Sequence, residues 1–280
     1  MNITAAINSA SDALRDSGVE QPRRQAASLM AFVLEREASF LIANPEYQLS
    51  PPEIAAFESV VGRRVDREPY QYIVGKQEFY GLEFEVTPEV LIPRPETEIL
   101  VEDAIDVLSV LPAARLFEIG VGSGCISVSI LHAVAKATGM GIDISENALA
   151  VAKRNAARHS VTDRLTLQPG DLFEGITGQF DLIVSNPPYV SDEQLKRLQP
   201  EVRDFEPRTA LSGGPGGLEI IERIIRDAPR SLAQDGHLLM EIGYDQSERV
   251  EQLFDAANWI DVKFLPDLQG IARIVRARLA

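Results

Sequence analysis

Apolar residues in the first 70 positions recur with helical spacing. Ile3, Ile7, Ala10 and Leu14 fall on one face and stop before Gly18, and Ala26, Met30 and Val33 form a second such face. In Ser50-Pro51-Pro52-Glu53 a capping serine precedes proline at the first helical position, with glutamate placed to reach back, so a third helix starts there and is expected to bury Ile54, Phe57 and Val61. These elements predict a small helical bundle over residues 1–75. Between 77 and 86 the period falls to two, with Phe79 before Gly81 and Leu82, Phe84 and Val86 after it, which predicts a β-hairpin. We take residues 76–92 as a hairpin linker. An apolar helix follows (Ile99, Leu100, Ala104, Ile105, Leu108), and from there short apolar strands alternate with amphipathic helices. Strands are expected at 115–119, 139–143, 165–168, 181–185, 237–242, 261–265 and 271–277. This alternation predicts an α/β domain over residues 93–280, with a mainly parallel sheet covered on both faces and ligands at the carboxyl ends of the strands. Only a short loop separates the last two strands, so they should pair antiparallel at one edge.

Composition narrows the function classes. The 280 residues carry 27 Lys and Arg against 42 Asp and Glu, a net charge of −15. Residues 1–85 hold 8 basic and 13 acidic residues, so the excess of acid is spread over both parts. Binding to nucleic-acid backbones is built from clustered Lys and Arg, and direct nucleic-acid binding is therefore not expected. The single cysteine, Cys125, forms no intrachain disulfide, and with only His132, His159 and His237 beside it no metal site is expected. The amino terminus lacks a basic start followed by an apolar core, and no apolar run of membrane-spanning length occurs. The expected location is the cytoplasm, with no membrane contact.

Four strand ends carry candidate chemistry. Glu118-Ile119-Gly120-Val121-Gly122-Ser123-Gly124 places glycines directly after a strand and before a helix, where they permit positive φ and close approach of a ligand to the backbone. A tight strand-to-helix connection would use the same residues. Cys125 stands where the dinucleotide fingerprint puts its third glycine, which departs from an NAD site. Asp143 closes the next strand and can accept hydrogen bonds from both ribose hydroxyls of an adenosyl ligand, or cap the helix that follows. Asp171-Leu172-Phe173 adds a carboxylate and an apolar wall after the third strand. The sharpest feature is Asn186-Pro187-Pro188-Tyr189 after the fourth strand. Two prolines remove two backbone donors and leave their carbonyls as acceptors, so the asparagine oxygen and a proline carbonyl can accept both hydrogens of one NH₂ group while Tyr189 offers a flat surface.

The Asn-Pro-Pro-Tyr segment, with the glycine turn and Asp143, resembles the S-adenosylmethionine-dependent methyltransferases acting on exocyclic nitrogens. Arg67-Glu68-Pro69-Tyr70-Gln71-Tyr72-Ile73-Val74-Gly75, Leu91-Ile92-Pro93-Arg94-Pro95-Glu96-Thr97-Glu98 and Phe205-Glu206-Pro207-Arg208-Thr209-Ala210-Leu211 are similar to the HemK or PrmC family of peptide-chain release factor glutamine methyltransferases. The resemblance covers nearly the whole chain. It implies a seven-stranded, Rossmann-like S-adenosylmethionine-dependent methyltransferase domain with a small helical N-terminal domain for substrate recognition. The implied reaction is methyl transfer from S-adenosyl-L-methionine to the side-chain amide nitrogen of the glutamine in the Gly-Gly-Gln segment of class I release factors. Carried over by position, Glu118, Gly120, Val121, Gly122, Ser123, Gly124, Asp143, Ile144, Asp171, Leu172 and Asn186 would bind the cofactor. Leu172 stands where some members carry a large aromatic residue. Asn186, Pro187, Pro188 and Tyr189 would hold the acceptor, with Asn186, Pro187 and Tyr189 taking part in catalysis.

An amide NH₂ is far too weak an acid for a side chain to deprotonate at neutral pH, so Asn186 and the Pro187 carbonyl are expected to polarise it in line with the incoming methyl group. An adenine methyltransferase on nucleic acid would use the same loop on a flipped base, but it predicts a basic groove. A nucleoside-binding or NAD-dependent protein fits neither the missing third glycine nor the proline loop. Cys125 is expected to be a small core residue. Residues 94–98 either line the cofactor side or open a helix, and Ser212-Gly213-Gly214-Pro215-Gly216-Gly217 is either a mobile rim over the substrate or a plain connection.

Overall fold

The computed structural model describes all residues Met1–Ala280 and divides into two compact units. The first comprises residues 1–76 together with 199–205; the second comprises 77–198 and 206–280.

In the first unit, helices run over Ile3–Asp16, Pro22–Leu34, Ala38–Ala43, Pro51–Val65 and Tyr70–Val74. The Asn2 side chain caps the first by accepting from the Ala5 N–H at 2.9 Å. At the fourth, the Ser50 N–H donates to Glu53 Oε2 at 2.7 Å, the reach-back expected from the sequence. Ile3, Ile7, Ala10 and Leu14 form one buried face that meets Ala26, Met30 and Phe57 in a common core, with Val33, Ile54 and Val61 at its margin. The short helix Pro200–Phe205 completes this unit, which the sequence pattern did not anticipate. Arg64 is only 4% exposed, and a guanidinium so buried needs a carboxylate partner. Glu201 supplies it: Oε1 accepts from Arg64 Nη2 at 2.8 Å and Oε2 from Arg67 Nη2 at 2.6 Å. Arg64 also donates to Gln25 Oε1 and to the Glu68 carbonyl.

The second unit begins within the hairpin β1 (Lys76–Phe79) and β2 (Leu82–Glu85), at Gln77. We expected a linker here. Phe79 and Phe84 instead lie fully inside the main core of this unit, so the hairpin is one of its structural elements. The large sheet holds β3 (Arg115–Ile119), β4 (Thr138–Asp143), β5 (Leu165–Pro169), β6 (Phe180–Ser185), β7 (Leu232–Glu241), β8 (Trp259–Pro266) and β9 (Ala272–Leu279), in the order β5-β4-β3-β6-β7-β9-β8. The first five are parallel, and β9 pairs antiparallel with both β7 and β8. The inner strands are buried on both faces: Leu116, Leu182, Val184 and Leu239 point into one core, and Phe117, Ile119, Ile183, Leu238 and Met240 into the other. The strand order reverses between β3 and β6, which sets the carboxyl ends of β3, β4 and β6 side by side at the switch point.

Glu201 generates a prediction. Burial pushes its carboxyl up, but the hydrogen bonds from Arg67 and Arg64 outweigh burial and hold it below the usual 4.5. A depressed folded value stabilises the protein above the unfolded value, and that stability is lost as pH falls through the folded one. Glu201→Gln keeps an acceptor but loses the charge beside Arg64, so it should cost about 2 kcal/mol at pH 7, less than the ~3–5 kcal/mol of a fully stripped buried pair. Denaturant unfolding at pH 7 and pH 4 measures this, and a variant as stable as the parent at pH 7 refutes it.

Candidate functional site

The β3 end turns through Gly120, Gly122 and Gly124, at φ 73°, 55° and 81°, a left-handed region where side chains are strained. A Cβ at Gly120 or Gly122 would meet nothing within 4 Å, so both present bare backbone to open space. Gly124 differs: its Cβ would lie 3.1 Å from the Ala152 Cβ, so it serves the packing of the Cys125–Ala133 helix on Glu146–Arg158. Asp143 Oδ2 accepts from the Gly122 N–H at 2.8 Å and Oδ1 from the Ser145 N–H at 2.9 Å, joining the ends of β3 and β4. Buried Asn155 supports the turn from behind. Its Nδ2 donates to the Ser123 and Glu85 carbonyls and its Oδ1 accepts from the Glu85 N–H, tying β2 to the glycine turn.

A cavity of about 480 Å³ lies over this turn, large enough for a nucleoside-sized ligand. It is lined by Gly120, Gly122, Asp143, Ile144, Asp171 and Leu172 together with Asn186, Pro187 and Pro188. In the segment 212–217, Ser212 lines the cavity and the glycines pack against the proline loop. Gly213 donates to the Val190 carbonyl, and a Cβ on it would sit 2.7 Å from the Pro188 oxygen and 2.8 Å from the Tyr189 Cα. Gln246 Nε2 donates to both the Tyr189 and Gly217 carbonyls. The glycines therefore let one backbone lie directly against another and brace the proline loop.

Carboxylates are concentrated beneath the cavity. Glu118 is fully buried, with Oε2 accepting from the Ser127 N–H at 3.1 Å and Oε1 without a partner, and burial pushes it up to about 8. Burial also raises Asp143, against hydrogen bonds from the Gly122, Ser145 and Ile144 N–H groups. Glu206 is raised by burial against the charge of Arg94, which donates to its Oε1 at 2.5 Å while the Ile92 N–H donates to Oε2. That pair joins the 91–98 and 205–211 motifs. Glu241, at the end of β7, is raised by burial and accepts from Thr97 Oγ1 at 2.5 Å and the Tyr189 hydroxyl at 3.0 Å. Burial and then the charge of Glu118 push the Cys125 thiol up to about 12, in keeping with an inert packing residue.

The structure thus brings Gly120, Val121, Gly122, Ser123, Asp143, Ile144, Asp171, Leu172, Asn186, Pro187 and Pro188 to one wall. It does not bring three others there. Glu118 faces the start of the following helix behind the turn, Gly124 is used for helix packing, and the Tyr189 ring lies in the core with its hydroxyl held by Glu241. Asp171 reaches the wall but also pairs with Arg223 at 2.6 Å. Sequence reading missed Thr97, Glu241, Gln246 and Asn155. Thr97 alone lay inside a motif, and only as one of five residues with two possible roles. No group of three or more His, Cys, Asp and Glu side chains is placed to hold a metal, and no helix is long and apolar enough to cross a membrane.

The fold is shared with solved structures. The hMettl16 catalytic domain in complex with MAT2A 3'UTR hairpin 6 matches at a TM-score of 0.59, with 17% identity and 82% of each chain covered. A methyltransferase from Pyrococcus furiosus matches at 0.54, with 18% identity over 72% of this chain and 90% of that one. Residues 97–201 match the methyltransferase small domain family. The sheet order, the bare glycine turn and the carboxylate at the end of the neighbouring strand define the class: an enzyme of the S-adenosylmethionine-dependent methyltransferases. The cofactor fits what is present, because the unshielded backbone of Gly120 and Gly122 and the buried acidic groups suit a ligand that is close-lying and cationic.

Residues 5–75 match the PrmC N-terminal domain family. The release factor glutamine methyltransferase of Geobacter sulfurreducens is 44% identical over 95% of this chain and 93% of its own. The enzyme of the same name from Cereibacter sphaeroides is 40% identical over 100% and 99%. The chain belongs to the release factor glutamine methyltransferase family.

The brace on the proline loop makes a prediction of its own. Gly213→Ala places a methyl against the Pro188 carbonyl and must push the loop aside, and a displacement near 1 Å costs on the order of a hundredfold in rate. Single-turnover methylation beside a circular-dichroism melt checks it; a folded variant at the parent rate means that the loop does not need the brace.

Proposed function

We propose that this chain methylates the side-chain amide nitrogen of the glutamine in the Gly-Gly-Gln segment of class I release factors, in the cytoplasm. The observation that carries the reading is Asn186-Pro187-Pro188 on the same cavity wall as the glycine turn and Asp143, in a chain whose relatives bear the name release factor glutamine methyltransferase. S-adenosylmethionine, when bound, supplies an electrophilic methyl group. Gly120 to Ser123 hold its methionine part, Asp143 its ribose hydroxyls, and Ile144, Asp171 and Leu172 border its adenine. Glu118 accepts from the Ser127 N–H behind the turn, and Gly124 sets the turn's shape.

Asn186 Oδ1 and the Pro187 carbonyl accept from the two hydrogens of the acceptor amide, and Pro188 with its fixed φ keeps the carbonyls aimed. Holding both hydrogens in one plane turns the nitrogen's lone pair toward the cofactor side, which is the positioning that a delocalised amide requires. Tyr189 acts by anchoring the loop through Glu241, since its ring does not reach the wall. The helical unit, which contributes nothing to the cavity wall, serves recognition of the protein substrate.

Asp143→Ala should weaken cofactor binding by about ten- to a hundredfold, the loss of roughly 1.5–3 kcal/mol of charged hydrogen bonds. Titration calorimetry reads this, and an unchanged Kd moves the ribose contact elsewhere. Asn186→Ala should leave Kd for the cofactor nearly intact and lower kcat on the order of a hundred- to a thousandfold, as for one preorganised transition-state hydrogen bond. Incubation with methyl-labelled S-adenosylmethionine and either release factor or nucleic acid tests the substrate. Label should enter the release factor glutamine; label in nucleic acid instead would falsify the reading.

A further inference from the structure

The two ends of an asparagine amide have nearly the same shape and opposite hydrogen-bonding character. Only the oxygen can accept from an acceptor NH₂, and a half-turn about the last side-chain bond would set NH₂ against NH₂. Something must hold Asn186 in the right sense. In the structure Asn186 Nδ2 donates to Thr97 Oγ1 at 3.2 Å. A hydroxyl owns one proton, and that of Thr97 goes to Glu241 Oε2 at 2.5 Å. Thr97 can then offer Asn186 only a lone pair. The other carboxylate oxygen of Glu241 is taken by the Tyr189 hydroxyl, so the carboxylate receives protons from both sides. Thr97 and Glu241 are each 2% exposed, and water has little access to compete for either group.

We propose that Thr97 and Glu241 are positioning residues that fix the polarity of the Asn186 amide, turning its NH₂ away from the acceptor and its oxygen toward it. The relay runs one way. The hydrogen bonds from Thr97 and Tyr189 favour the ionised form of Glu241 against the upward push of burial, and an ionised Glu241 only accepts, which dictates the direction of the Thr97 hydroxyl and through it the sense of the amide. The 91–98 and Asn-Pro-Pro-Tyr motifs and the end of β7 thereby act on one atom. The inference rests on the reading of Asn186 Oδ1 as the acceptor for the substrate amide. It adds that an enzyme with an intact loop still loses rate when the loop's amide is free to turn over.

The experiment compares T97V, T97S, E241Q and N186A, and the T97V/N186A double variant, in the full chain. It measures kcat and KM for release factor in single- and multiple-turnover methylation, cofactor Kd by calorimetry and the unfolding midpoint. T97V keeps the side chain's shape without its oxygen and should lower kcat about ten- to thirtyfold, a fraction of the loss from removing a transition-state contact outright, with KM and Kd within about twofold. T97S keeps the oxygen and should restore most of the rate. E241Q can donate an NH₂ to Thr97 and release the hydroxyl proton toward Asn186, so it should cost at least as much as T97V. In the N186A background T97V should cost nothing further, because the two act through one amide. An equal cost in both backgrounds, or T97V and E241Q at the parent rate, overturns the relay while leaving Asn186 as the acceptor. N186A at the parent rate overturns both.

Discussion

The hydrogen bond from the Gly122 N–H to Asp143 Oδ2 joins the ends of two neighbouring parallel strands at the point where the sheet changes direction. The glycine turn can take its shape only if a carboxylate waits at the end of β4. The Ser145 and Ile144 N–H groups help to hold that carboxylate in place. From this junction the Cys125–Ala133 helix starts, the β2 hairpin is tied on through Asn155, and the floor of the cavity is fixed. The proline loop lines the same cavity.

The proline loop is held by a different means. In the glycine turn the backbone N–H groups are spent within the protein, those of Gly120 and Val121 on the Ile142 carbonyl, that of Gly122 on Asp143 and that of Gly124 on the Val121 carbonyl, whereas the proline loop offers acceptors and is kept in place by close backbone packing of Gly213 and Gly217 and by Gln246. Glu118, Glu206 and Glu241 are buried and Asp143 is half-buried in the cavity lining, with Arg94 as a direct cationic partner to Glu206.

All seven strands of the large sheet were legible in the sequence, the inner parallel ones as short apolar runs because they are buried on both faces. The antiparallel pairing of β8 and β9 followed from the short loop between them. The hairpin was recognised as an element but misplaced as a linker, since a period of two reveals a half-buried ribbon without revealing what Phe79 and Phe84 are buried against. At the site, the glycine turn, Asp143 and the proline loop were readable because their residue types are costly anywhere else. Thr97 and Glu241 were not. They lie 144 positions apart, and an ordinary threonine and an ordinary glutamate gain meaning only when the fold has brought them to 2.5 Å. Tyr189 misled for the opposite reason: an aromatic residue in a catalytic loop suggests a stacking surface, and the structure spends its hydroxyl on an anchor.

The path of the chain through the helical unit has an evolutionary corollary. The main link is at residues 76–77, yet the chain returns to the bundle at 199–205 to deliver Glu201 to Arg64 and Arg67. A bundle transplanted from another protein by recombination at residue 76 would arrive with its arginines but without the carboxylate that neutralises them, and the recipient would carry an orphaned acidic helix. The boundary in sequence is therefore not a seam at which the gene can be cut and rejoined. A change at Arg64 or Arg67 is answerable to a residue more than 130 positions downstream.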